Sequence, residues 1–374
     1  MTRRVWSPDR RAELTAALPP WIVARVLVTV GYLIVAAADD ELAPNRDAPK
    51  LDQHLLAWDA DWYDAIADPD RGYDRLPNEA VRFFPLFPLL GRLLGWVLAG
   101  NQGLALVVVA NLAALVAGML LYRLALEETG DAALATRATW LFALFPGAFV
   151  LVWGYAEALM LAALVGAFLA LRRGAWWVVA VLGVVAGLSR PLGLFLVLPV
   201  LWEATRGWRE AAGRDRLARV AAVAGAPVGV VSYLAYTAAR GSGFLDPLTE
   251  QSPYRGAVTD PFSRLAEAVG DMVTPDRLGD AVHPPMALVM VVLVVVVIRR
   301  LPLRYALFTV PVVLVSLSAE SFNSLERYGL NAFPLVLALA VLTRREELQR
   351  AAVAVGAAGV VALTSFSWIG NYVP

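Results

Sequence analysis

The chain has 374 residues, of which 59% are hydrophobic and only 17% charged, with a formal net charge of zero. A soluble domain carries about a quarter charged residues, and several apolar runs here reach roughly the 17–25 residues needed to cross a bilayer, so the composition excludes an ordinary soluble fold and indicates an all-α polytopic membrane protein. There are no cysteines and two histidines, His54 and His283, which excludes disulfides, thiolate metal sites, thiol nucleophiles and a histidine-built metal cluster.

Arg3, Arg4, Arg10 and Arg11 precede an apolar stretch over 19–38 that ends in three alanines, as a signal-peptidase site would. It is long for a signal and many more apolar runs follow, so it reads as an uncleaved first span. With the others, near 103–126, 137–152, 155–171, 175–189, 191–204, 218–239, 284–298, 303–319, 328–342 and 351–369, about eleven spans are expected in one integral domain over 1–374. One face collects the N-terminal arginines, Arg123, Arg137, Arg172, Arg173, Arg206, Arg209, Arg214, Arg216, Arg219, Arg299, Arg300, Arg304, Arg344, Arg345 and Arg350. The excess of positive charge in cytoplasmic loops then puts that face and the N-terminus in the cytoplasm, within a cell (plasma) membrane. Loops 39–102, 240–283 and 320–327 fall on the extracytoplasmic side. The alternation requires that 83–98 does not cross. Pro85, Pro88 and Arg92 fit a short juxtamembrane helix there. Helices over 176–189 and 192–202, meeting at Arg190-Pro191, read as a hairpin ending at or below the interface, where broken backbone can line a polar cavity.

The loop over 51–90 is crowded with acids (Asp52, Asp59, Asp61, Asp64, Asp68, Asp70, Asp74, Glu79) and rings, Trp58, Trp62 and Tyr63 among them. Acids set among rings at a membrane surface suit an enzyme that handles a sugar. Helical spacing over 55–66 predicts an amphipathic helix lying on the membrane, with Asp59 and Tyr63 side by side. Asp59 is the candidate base, since a carboxylate there can accept a proton from a hydroxyl, and Asp61 is its possible helper. Asp68, Asp70 and Asp74 read as solvated loop acids. Arg190 and Arg327, at helix ends beside apolar spans, and Arg82, before the Phe-Phe-Pro segment, are candidates to hold an anionic leaving group. Glu157, after Tyr155 in an apolar span, bonds sugar hydroxyls or pairs with an arginine. Trp58, His54 and Glu326 are further pocket candidates, and His283-Pro284-Pro285 marks the start of a span. The outer loop 240–283, with Asp246-Pro247, Gln251, Tyr254, Arg255 and Asp260-Pro261, is a candidate to cover the site or admit the acceptor, though nothing in it is specific. Asp59 with Asp61 could hold a divalent cation, although two carboxylates fall short of the usual ligand count; no cofactor is required by the sequence, and a divalent cation stays open. The absence of phosphate-loop or dinucleotide-binding glycines favours a lipid-linked sugar donor over a nucleotide-linked one, and no nucleic-acid partner is expected.

The succession Trp58-Asp59-Ala60-Asp61-Trp62-Tyr63, Ile66-Ala67, Gly72-Tyr73 and Phe83-Phe84-Pro85-Leu86-Phe87-Pro88 resembles the PIG-V type mannosyltransferases and their bacterial relatives. Phe145-Pro146 with Tyr155-Ala156-Glu157, Leu188-Ser189-Arg190-Pro191-Leu192-Gly193, and Glu326-Arg327-Tyr328 with Phe333-Pro334-Leu335 extend the likeness over about residues 54–340. Ala156 stands where the family usually has Ser, and Asp61 where it often has a small residue. The resemblance implies a GT-C glycosyltransferase fold whose site faces away from the cytoplasm. It also implies inverting transfer of mannose from polyprenyl-phosphate mannose to a glycolipid, glycan or protein hydroxyl, with Asp59 as base. The same fold using another lipid-linked sugar, or a transporter or flippase without transferase activity, are the alternatives.

Overall fold

The computed structural model describes residues 9–38, 50–250, 255–273, 278–370, 372 and 374. Arg3, Arg4, Gln251, Tyr254 and the loop portions 39–49 and 274–277, all part of the expectations above, lie outside them. Helix α1 (Arg10–Ala37) leads through a 3-10 segment (Lys50–Leu56) to α2 (Asp59–Ala67). Two short 3-10 turns (Tyr73–Arg75 and Asn78–Arg82) precede α3 (Leu86–Val97), and α4 (Gln102–Thr129) pairs with α5 (Ala132–Ala143). A 3-10 segment (Pro146–Leu151) then joins α6 (Glu157–Arg173) and α7 (Trp176–Ser189), and another (Pro191–Leu196) joins α8 (Val197–Thr205) and α9 (Gly213–Ala239). The chain continues through α10 (Asp246–Thr249), α11 (Pro261–Asp271), α12 (Leu278–Arg300), α13 (Leu303–Leu317), α14 (Leu325–Asn331), α15 (Pro334–Leu342) and α16 (Glu346–Trp368). Among the described residues there is no strand, only an isolated bridge between Val258 and Ala319.

The ends of the long helices follow from local chemistry. Asp9 caps α1 by accepting from the Ala12 N–H, and Asn101 caps α4 by accepting from that of Leu104 at 2.8 Å. Gly130 ends α4 in the left-handed region at φ 69°. Ile22, Val26, Leu33, Leu112, Val228, Val292 and Val355 are exposed along these helices. Such a wide apolar exterior would be unstable in water and matches a bilayer. Among the described residues, five helices are long and apolar enough to cross one: Arg10–Ala37, Gln102–Thr129, Gly213–Ala239, Ala281–Arg300 and Glu346–Trp368. Helices α14 and α15, bent by 88° at their junction, make a sixth if they count as one span. The protein is thus an all-α, multi-pass membrane protein.

The remaining apolar segments are shorter than expected, and the reasons are local. The helix expected over 137–152 stops at Ala143. Phe145 is extended (φ −60°, ψ 140°) because it precedes Pro146, which lacks an N–H. Polar side chains take up the carbonyls left over: Arg25 Nη2 donates to Leu151 O at 3.0 Å and Asn111 Nδ2 to Val152 O at 2.8 Å. Pro191 likewise leaves Arg190 extended between α7 and the following 3-10 turn. The 12-residue α3 is too short to span, as the alternation requires. Its Arg92 points at the end of α2, donating to the carbonyls of Ile66, Ala67 and Asp68, so it caps a helix.

Helix α4 connects two polar ends. Near its start, a Cβ on Gly103 would lie 2.5 Å from Leu56 and 3.2 Å from Asp64, so the acidic loop packs directly there. Near its finish, Arg123 pairs with Glu13 at 2.8 Å. The two points are ~30 Å apart along the helix, about one hydrocarbon thickness. Around Arg123 lies a network that includes Glu127, Arg172, Arg173, Glu128, Arg304 and Glu203. Arginines that the sequence assigns to one face thus do gather at one end, each held by a helix-end carboxylate.

Candidate functional site

The acidic loop is shaped by two strained turns. His54 (φ 51°) and Trp58 (φ 60°) are non-glycine residues with positive φ, a conformation that costs on the order of 1–3 kcal/mol each. The last turn of α16 holds both: Trp58 Nε1–H donates to Ser367 O at 2.9 Å, and Trp368 Nε1–H donates to His54 O at 2.8 Å. The predicted helix over 55–66 therefore does not form as one piece. It is broken at Trp58, and α2 begins at Asp59, whose N–H faces the Tyr155 hydroxyl at 3.3 Å.

Asp59 heads a chain of ion pairs that joins three distant segments. Arg327 Nη1 donates to Asp59 Oδ2 at 2.5 Å, and its Nε lies 3.4 Å from Glu157 Oε1. Arg190 donates to the same Glu157 oxygen. Glu157 is fully buried and opens α6, while Arg190 sits where Pro191 breaks the backbone. Arg327 comes close because α14 lies against the 3-10 segment at Gly147, where a Cβ would stand 2.6 Å from Glu326 C and 2.7 Å from Arg327 N. Burial pushes the Asp59 carboxyl up, but the guanidiniums of Arg327, Arg190 and Arg82 pull it below the ordinary aspartate value, so it is ionised. Asp64, in the same helix, shifts the other way: burial, then Asp61 and Asp68, raise it. Asp59 is thus the loop acid that the site itself keeps charged.

These groups border a cavity of about 190 Å³. Asp59, Asp61, Arg82, Arg190, Arg327, Trp58 and Tyr63 all line it, so the structure brings together seven of the side chains singled out from the sequence. The Arg82 guanidinium lies 5.4 Å from the Trp62 ring, which is itself stacked on Phe83.

Four candidates are not on the wall. Tyr155 and Glu157 stand behind Asp59 and the arginines, and of the two roles expected of Glu157 the structure shows the pairing with arginine. Glu326 turns away from the cavity because adjacent helix residues point in different directions; it accepts from Tyr372 Oη at 2.6 Å and lies 3.0 Å from His283 Nδ1. His54 contacts Leu51 O and meets Tyr32 edge-on, a purely structural place. Conversely, Lys50, Ser189, Arg255, Ser324 and Tyr328 line the cavity without having been singled out as site residues. Ser189 and Tyr328 lie inside quoted motifs, so a signal existed for them; Arg255 and Lys50 lie in loops with no periodic pattern to flag them. Among the described residues no three His, Asp or Glu side chains gather so as to hold a metal ion, and Asp59, one of the pair considered for a divalent cation, is held by Arg327. A scan of the chain against protein-family models finds no match, and neither does a search of curated proteins.

Proposed function

We propose that the chain is an inverting membrane glycosyltransferase of the GT-C type, related to the PIG-V mannosyltransferases, that uses a polyprenyl-phosphate sugar, mannose by the motif likeness. The observation that carries this reading is the pairing of Asp59 with Arg327, backed through Glu157 by Arg190, at the wall of a cavity. In the reaction, an acceptor hydroxyl gives its proton to Asp59 while its oxygen attacks the anomeric carbon. The bond from that carbon to the phosphate oxygen breaks from the opposite face, and polyprenyl phosphate departs. Cations on the cavity wall stabilise the charge growing on the leaving oxygen. In this reading the cavity end faces away from the cytoplasm, the shorter apolar helices complete about eleven crossings, and the acceptor is a glycolipid, glycan or secreted protein. The same site would serve another lipid-linked sugar. A transporter reading is less well supported, because the acids concentrate in one loop at the membrane edge.

The test is incubation of the purified protein with polyprenyl-phosphate mannose and membrane extract, followed by identification of the product. Asp59→Asn is expected to lower transfer by about 10²–10⁴-fold with unchanged gel-filtration behaviour. Wild-type rates in that variant would sink the assignment of Asp59.

A further inference from the structure

Helix α11 (Pro261–Asp271) has three sides. One faces the protein: Ala268 is buried, Leu265 packs on the core, and the helix lies against α12 and α13. A second is polar and open, with Ser263, Glu267 and Asp271 exposed. The third is apolar. Phe262, Ala266, Val269 and Val273 recur at the spacing of one helical stripe, which runs into the turn after the helix. Phe262 keeps 74% of its surface exposed and Val273 78%, and Val258, just upstream, keeps 90%. Single exposed apolar residues are normal, but a continuous stripe marks a surface that something covers.

The stripe cannot turn inward. Asp260 accepts from the Ser263 N–H at 2.7 Å and fixes the start of the helix. Arg264 Nε donates to Glu320 O at 2.7 Å, and its guanidinium lies 4.7 Å from the Phe322 ring. Upstream, Thr259 N–H donates to Ser318 O at 2.9 Å and Ser321 N–H to Arg255 O at 2.9 Å. The same ties lead to Arg255 on the cavity wall.

The position of the helix says what covers the stripe. The span Ala281–Arg300 starts a few residues after Val273. At its far end it turns into α13, where Arg304 joins the arginine network, so α11 stands at the opposite end, where α12 leaves the bilayer. Leu288, Val289 and Val292 on α12 belong to the apolar exterior. A helix beside the end of a span, with one open side polar and one apolar, fits the plane of the membrane interface. Its charged side chains, Arg264, Glu267 and Asp271, leave it slightly acidic, so apolar burial and not attraction to anionic lipid drives the contact.

We infer that α11 is a lipid-docking surface: Phe262, Val269 and Val273 sit at the boundary of headgroups and acyl chains in the leaflet on the cavity's side, and the leaflet holds the loop that carries Arg255. The occupant is phospholipid, whatever its headgroup charge. The inference depends on the membrane-spanning fold and not on glycosyl transfer.

A chain without cysteine permits a direct test in the full-length protein, held in phosphatidylcholine nanodiscs. Phe262→Cys and Val273→Cys each place one thiol on the stripe, and Glu267→Cys places one on the polar side; each is labelled with an environment-sensitive fluorophore. Labels at 262 and 273 are expected to be quenched several-fold more strongly by a phospholipid spin-labelled high on its acyl chain than by aqueous iodide, and the label at 267 the reverse. Nanodiscs containing phosphatidylglycerol should give the same pattern. If one stripe variant does not fold, the other is read. Iodide quenching on the stripe equal to that at 267 places it in water and overturns the inference. Protection from both quenchers means that protein covers the stripe, a second copy or a partner, and overturns it as well. A lipid signature that appears only with phosphatidylglycerol overturns the assignment to apolar burial.

Discussion

Asp59 and Arg327 hold each other at a distance that makes each a condition for the other. A carboxylate buried beside guanidiniums gives up its proton more readily than a free one. The sign follows for pH: because the folded value is depressed, the stability from this ion pair is present above the ordinary aspartate range and is lost as pH falls through the depressed value. On the proposed mechanism, the acid limb of kcat/KM reports the base in the free enzyme. It should lie below the usual aspartate range in the wild type and move to higher pH in Arg327→Gln. A pH–rate profile of the two proteins checks this; an unmoved limb means that another group controls it. Glu157 adds a cost to any such change. It stands between two guanidiniums, and removing one member of a buried pair leaves an uncompensated charge, typically about 3–5 kcal/mol.

Among the elements, short and broken ones do the positioning. The 3-10 segment Pro146–Leu151 passes so close to α14 that only glycine fits at 147. Gly147→Ala puts a methyl against the backbone of Glu326 and Arg327. The expected outcome is a loss of about 1–3 kcal/mol, seen as a lower thermal midpoint, together with slower transfer as Arg327 shifts. A variant with wild-type midpoint and rate would show that α14 can retreat without consequence. At this scale the sequence was partly legible. Pro191 announced its break and the helix over 86–97 appeared about where expected, whereas the break at Pro146 fell inside the span expected over 137–152. The break at Trp58 was not visible, because it is imposed by Ser367 and Trp368, some 310 residues away. The place of Arg255 on the wall was hidden for the same reason: it depends on pairing with 318–321, a contact that no local periodicity encodes. Glu326 and Arg327 read as one motif, yet their side chains serve different neighbours.

For the whole molecule, the arginine pattern was the most legible feature, since Arg123, Arg172, Arg173 and Arg304 meet at one end of α4. Their partners Glu13, Glu127, Glu128 and Glu203 carried no periodic signal. The absence of cysteine makes the chain a ready template for testing orientation. Asp70→Cys, exposed in the acidic loop, and Glu210→Cys, exposed between α8 and α9, each introduce a single thiol. In the proposed orientation an impermeant thiol reagent labels the first in intact cells and the second only after permeabilisation. The reverse pattern would invert the molecule. Arg25, whose guanidinium takes up Leu151 O and reaches Asn111 Oδ1 at 2.8 Å, carries a consequence for biogenesis. It sits in the middle of α1, where an arginine costs about 2.5–3.5 kcal/mol to insert through the translocon, and its partners are synthesised about 90 and 130 residues later. The first helix thus leaves the ribosome as a poor membrane anchor and becomes a good one only once α4 and the following break have arrived. A chain cut before residue 100 should insert inefficiently and gain from Arg25→Leu, while the full chain should lose stability from the same change. Glycosylation mapping of the two lengths would measure that reversal.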